Sequence, residues 1–125
     1  MSARMSIVLV SFLAACGGDD GGGTVDAAKD SPAASIVQVN PCPGTVDATV
    51  MTTTANMYMP MATTITQGQV VKFTMNAAHD VAPNGAASTG LVVPLGGERC
   101  YRFTGAGSFG FKCTPHGFTG TITVN

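Results

Sequence analysis

Phe111-Lys112-Cys113-Thr114-Pro115-His116-Gly117-Phe118 is the stretch on which the reading of this 125-residue chain turns. A thiolate and an imidazole three residues apart, in a tight loop carrying Pro115 and Gly117, can close on one metal ion without backbone strain. Ser108 to Cys113 reads as the strand that delivers the thiolate, and Gly120 to Val124 as the strand that leaves the loop. The chain has two histidines, and the other is His79 in Ala78-His79-Asp80-Val81, just past the predicted strand Gln69–Met75.

Working outward, the rest reads as strands and turns. Ser35-Ile36-Val37-Gln38-Val39 is short and β-branched, and Asn40-Pro41-Cys42-Pro43-Gly44 breaks it. Thr45 to Thr54 is rich in Val and Thr. Met61 to Thr66 is a further strand, Gln67-Gly68 a turn, and Gln69 to Met75 the return strand. Cys100 to Thr104 precedes the turn Gly105-Ala106-Gly107. The glycine-rich stretch Asn84 to Gly97 is a long irregular connection with room for one short helical turn. Short strands at this spacing predict an all-β sandwich or barrel, with one domain over 35–125. Alternating Met57, Met59 and Met61 are read as core residues of a strand, in preference to a Cu(I)-collecting stripe with Met51.

Two imidazoles and a thiolate in a trigonal set are the ligands of a blue-copper site. The thiolate binds Cu(I) well and the imidazoles suit Cu(II), so His79, Cys113 and His116 can hold both states with little rearrangement. At these residues the chain resembles the plastocyanin, amicyanin and pseudoazurin family of cupredoxins. His79-Asp80-Val81 matches a first histidine that is followed there by Asn-Val, and Cys113-Thr114-Pro115-His116 matches the terminal Cys-Thr/Ser-Pro-His loop. Ile65 to Phe73 resembles the strand-turn-strand ahead of the first histidine, and Gly107 to Cys113 the Gly-x-Tyr-x-Tyr/Phe-x-Cys strand. The resemblance covers 35–125 and implies a Greek-key β-sandwich holding one type 1 copper. It also implies a one-electron carrier that meets its redox partners through an apolar patch around His116.

One family feature is missing. The axial thioether should follow the second histidine by three to five residues, and no Met occurs after Met75. Thr119 or Phe118 occupies that place, so the axial position is weakly coordinating or vacant. Zinc would want a fourth firm ligand or an open water position, and no further His, Cys or carboxylate is at hand; Asp80 adjoins His79, but successive strand side chains face opposite ways.

Residues 1–15 read as an address. Arg4 precedes the apolar run Ile7 to Ala15. As a helix that run rises only ~14 Å, too short for a hydrocarbon core of ~30 Å, so it describes an export signal. Leu13-Ala14-Ala15-Cys16 resembles the lipobox of bacterial lipoproteins, which implies a lipid on Cys16 as a membrane anchor. Residues 16–34 form a Gly/Asp-rich tether carrying −3, whereas 35–125 carries +1, from Asp47, Asp80 and Glu98 against Lys72, Arg99, Arg102 and Lys112. The chain's formal charge of −1 offers no basic face for nucleic acid. Cys42 and Cys100 remain, and an exported chain favours pairing them. The expectation is a lipid-anchored monomer on the periplasmic face of a membrane or at the cell surface. Two histidines cannot build the further copper centres an oxidase needs, so no enzyme is expected; a copper storage or delivery protein and a non-redox sandwich module are the alternatives.

Overall fold

Residues 35–125 are described in the computed structural model; the predicted signal peptide 1–15, Cys16 and the tether 16–34 lie outside them. Nine strands form two sheets: β1 (Ile36–Val39), β2 (Ala48–Thr52), β3 (Tyr58–Met59), β4 (Ala62–Ile65), β5 (Val70–Thr74), β6 (Ala82–Pro83), β7 (Glu98–Phe103), β8 (Gly107–Lys112) and β9 (Thr119–Val124). One sheet has the order β1-β7-β5-β2-β3, the other β4-β9-β8-β6. Both are mixed, because β2 runs parallel to β5 and β4 parallel to β9. These non-sequential neighbours make the expected Greek-key sandwich, and among the described residues the helical content is one 3-10 turn, Ala86–Ser88, inside the long connection.

Period-two alternation builds the core. Val71 and Phe73 of β5, Tyr101 and Phe103 of β7, and Phe109 and Phe111 of β8 pack between the sheets with Val50, Tyr58, Leu91 and Ile122. Gly120 lies under the Phe111 ring, whose carbon would stand 2.5 Å from a Cβ there, so only glycine admits the aromatic. Cys100, between Arg99 and Tyr101 on the inward phase, sits opposite Lys72 on the other phase and joins Cys42 in a disulfide on the outer side of the β1-β7-β5-β2-β3 sheet.

Two expectations are corrected. Ile65 to Phe73 is strand, turn and strand as expected, but β5 does not return along β4: the two belong to different sheets, because Gln67 N–H turns to the Asn125 carbonyl (3.1 Å) and Gly68 N–H to that of Phe103 (2.7 Å). The flanking strands thereby find β9 and β7 instead of each other. Met57, Met59 and Met61 are not core residues: all three are exposed, and the inward position between the first two belongs to Tyr58, which is 1% exposed. The alternation is real but has the opposite phase.

Candidate metal centre

The site sits at the end of the sandwich where β5 and β8 finish. Past β5, Asn76 makes a side-chain-closed turn: its Oδ1 accepts from Ala78 N–H (3.1 Å) and its carbonyl from His79 N–H (3.1 Å). Asn76 N–H is held in turn by Thr52 Oγ1 of β2 (2.9 Å), and Gly96 N–H donates to the His79 carbonyl (3.2 Å). His79 thus enters the core edge at 2% exposure. Along β8 the inward phase of Phe109 and Phe111 continues to Cys113, one residue beyond the strand and fully buried.

The loop then folds back on itself. Gly117 N–H donates to the Cys113 carbonyl (2.8 Å) and Cys113 N–H to that of Phe118 (2.9 Å). Gly117 takes φ +74°, a conformation that costs a residue with a Cβ. This closure returns His116, exposed, over the buried thiol.

His79 Nδ1 lies 3.1 Å from His116 Nδ1, and Cys113 Sγ lies 3.5 and 3.7 Å from those two nitrogens. The point equidistant from three atoms so spaced is about 2 Å from each, the length of a metal–imidazole bond and slightly under a metal–thiolate bond. Thus the three atoms are spaced to hold one transition-metal ion between them. Their chemistry fits too, one soft thiolate and two imidazoles being a set that transition metals favour over hard cations.

Aromatic rings wall the triad. Phe118 stands edge-on to His79 (centroids 5.0 Å apart) and roughly stacked on His116 (6.3 Å, 25°). Tyr58 meets both Phe118 and Phe111 edge-to-face at 4.7 Å. Of the two axial candidates, Phe118 is therefore beside the triad but offers no donor atom, while Thr119 is exposed at the start of β9 opposite Lys112.

Two further residues act here, Asp80 in a role the sequence did not assign it and Tyr58 without having been singled out. The Asp80 carboxylate is not one of the three converging groups and instead accepts the Thr114 N–H at 2.7 Å, tying the cysteine loop to the histidine segment. Tyr58 donates its hydroxyl to the Asp80 carbonyl at 2.7 Å. Burial pushes the Tyr58 phenol well above its usual range, and the negative charges of Cys113 and Asp80 push it further. For Asp80 a signal existed: it occupies the place of the Asn in His-Asn-Val, where a side-chain oxygen follows the histidine. Nothing local to Met57-Tyr58-Met59 marks the tyrosine.

No protein-family model and no curated protein matches the chain. Solved structures do. Amicyanin from Paracoccus versutus superposes with a TM-score of 0.57 at 19% identity, covering 74% of this chain and 100% of that one. A reduced Cu(I) form of an amicyanin variant gives 0.57 at 18% identity, covering 73% and 99%. A purple cupredoxin from Nitrosopumilus maritimus gives 0.52 at 21% identity, covering 63% and 100%. The superpositions agree on one architecture: residues 35–125 have the cupredoxin fold.

Proposed function

We propose that this chain is a blue-copper protein that carries single electrons, holding one type 1 copper ion with His79, Cys113 and His116. The observation that carries the reading is the convergence of a buried thiol and two imidazole nitrogens within 4.8 Å of one another. Bound there, copper supplies a one-electron couple between Cu(I) and Cu(II) that needs no other cofactor. The chain's part is to hold the donors still. The Asn76 turn and Gly96 fix His79, the Asp80 carboxylate fixes the loop beyond Cys113, and Phe118 and Tyr58 exclude water from the inner side. A donor set that keeps its spacing in both oxidation states minimises rearrangement.

His116 is the one exposed ligand, so its ring edge is the route by which an electron reaches the site. Pro115 is exposed beside it, and Leu95, 56% exposed, adjoins the glycine that holds the His79 carbonyl. These apolar groups suit a redox partner's apolar surface, and a nearly neutral domain would form short-lived complexes with little salt dependence. Export and a lipid anchor on Cys16, on the periplasmic face of a membrane or at the cell surface, complete the proposal; the lipobox resemblance and the Cys42–Cys100 disulfide support it. The protein acts as a monomer and a carrier, with no enzymatic step assigned to it.

The test is a spectrum. Adding Cu(II) to the protein should give an intense thiolate charge-transfer band at roughly 600 nm, as for trigonal Cys/His copper. Cys113→Ser should remove the band while circular dichroism still shows the folded sandwich. A colourless parent, or a variant that stays blue, overturns the reading.

A further inference from the structure

Seven large apolar side chains are exposed among the described residues, and four of them are methionines: Met51, Met57, Met59 and Met61. Methionine is ordinarily a buried residue. Three of the exposed ones, Met51, Met57 and Met59, gather on one hairpin, β2–β3, and Met61 follows it, while Met75 is in the core.

The register shows how they are arranged. Met51 of β2 is directly opposite Met59 of β3, and Thr53 N–H donates to the Met57 carbonyl (3.1 Å), continuing the same pairing by two residues. Met51, Met57 and Met59 therefore share one face, with Met57 diagonal to Met51. Directly opposed residues have Cβ atoms roughly 5 Å apart and diagonal ones roughly 7 Å, within reach of long side chains. Tyr58 faces inward between Met57 and Met59, clamped by Phe111, Phe118 and the Asp80 carbonyl. The turn is tied by Ala55 N–H to Thr53 Oγ1 (3.2 Å) and by Asn56 at φ +54°, a conformation Asn tolerates. The three methionine backbones are thus fixed before any ligand arrives. No Asp, Glu, His or Cys occurs from Ala48 to Ile65, so the hairpin itself offers thioethers and hydroxyls, and Glu98, two strands away on the same sheet, is engaged by Thr74 Oγ1 and Lys72. Thioether sulfur is a soft, neutral donor that selects Cu(I) over Cu(II), zinc and hard cations.

We propose that Met51, Met57 and Met59 form a second, surface metal site, selective for Cu(I), on the outer face of the hairpin whose inner face walls the His79/Cys113/His116 centre. Such a site is exposed and made of neutral ligands, so its ion exchanges readily. It binds copper without the thiolate and does not depend on the blue-copper reading.

The experiment is an anaerobic titration of the full chain, labelled with 13C at the methionine methyls, with Cu(I) delivered as its acetonitrile complex. Signals are assigned by single Met→Leu substitutions. The methyls of Met51, Met57 and Met59 should shift together and saturate at one equivalent beyond any taken by the Cys113 centre, while Met75 stays unmoved. The double variant Met51→Leu/Met59→Leu should keep the fold, since both positions are exposed, and lose at least tenfold in affinity for that equivalent in competition with a Cu(I) chelator. Zn(II) should leave the three methyls in place. Methyls that stay unmoved through two equivalents of Cu(I), or a double variant that binds as the parent does, overturn the proposal. If the first equivalent moves the methyls and no thiolate band forms with Cu(II), the hairpin site stands and the blue-copper reading falls.

Discussion

Removing one oxygen atom from Tyr58 tests whether the hairpin braces the metal centre. In Tyr58→Phe the ring keeps its contacts with Phe111 and Phe118, and only the 2.7 Å bond to the Asp80 carbonyl is lost. Tyr58 is almost fully buried, so the carbonyl is left without that donor; the net bond and the unpaired acceptor together cost about 1–2 kcal/mol. For a folded domain of this size that lowers Tm by roughly 4–8 °C per kcal/mol. Tyr58→Ala also empties the space between the two phenylalanines and should cost about 3–5 kcal/mol. Urea unfolding of the metal-free protein, with an unchanged m-value, is the assay. The pH profile supplies a second readout. The folded phenol is raised above the unfolded value of 10.0, so its contribution is intact below pH 10. It is lost above that pH, where the unfolded chain releases a proton that the folded one retains. Stability of the parent should therefore fall more steeply above pH 10 than that of Tyr58→Phe. A Tyr58→Phe variant that matches the parent within about 0.3 kcal/mol and follows the same alkaline profile would refute the reasoning, since the bond would then contribute nothing measurable.

Opening the Cys42–Cys100 bond by a double Ala substitution releases a loop of 58 residues and should cost about 4 kcal/mol in the chain-entropy model, read from the denaturation midpoint; a loss below about 1 kcal/mol would count against it. Phe118→Met places a thioether beside both imidazoles and should lower the reduction potential measured by voltammetry, whereas Thr119→Met, on an exposed strand position, should leave it unchanged. A downward shift in the threonine variant alone would reverse that assignment. Cys16→Ser should leave the protein unacylated and move it from the membrane to the soluble fraction, because stable anchoring takes more than one chain's worth of lipid; equal membrane retention after signal cleavage would remove the lipobox reading.

Much of the centre could be read from residue order because its geometry is local. Phe109, Phe111 and Cys113 share a phase that β8 carries straight into the loop, and Cys-x-x-His needs one turn to bring His116 over the thiol. His79 was findable from its place after a β-branched strand. The hairpin was misjudged for an equally physical reason. A run such as Met57-Tyr58-Met59 declares two faces and not which of them is buried, and a single aromatic on the minority face decided it. The partners of β4 and β5 were likewise invisible, because Gln67-Gly68 makes a turn in either topology and only the distant carbonyls of Asn125 and Phe103 select one. Asp80 fell between these cases: its position was matched, but its bond to Thr114 spans 34 residues.

The opposite phases of Cys100 and Cys113 have a chemical result. Thiol–disulfide exchange requires the attacking sulfur to approach the bond it breaks. Cys113 points between the sheets, while Cys42 and Cys100 meet on the far side of β7, so a whole sheet separates nucleophile from target. Scrambling among these three sulfurs is thereby confined to the unfolded chain. The native molecule can keep a free thiol and a crosslink within one small domain, and the correct pairing, once folded, is protected by topology and burial.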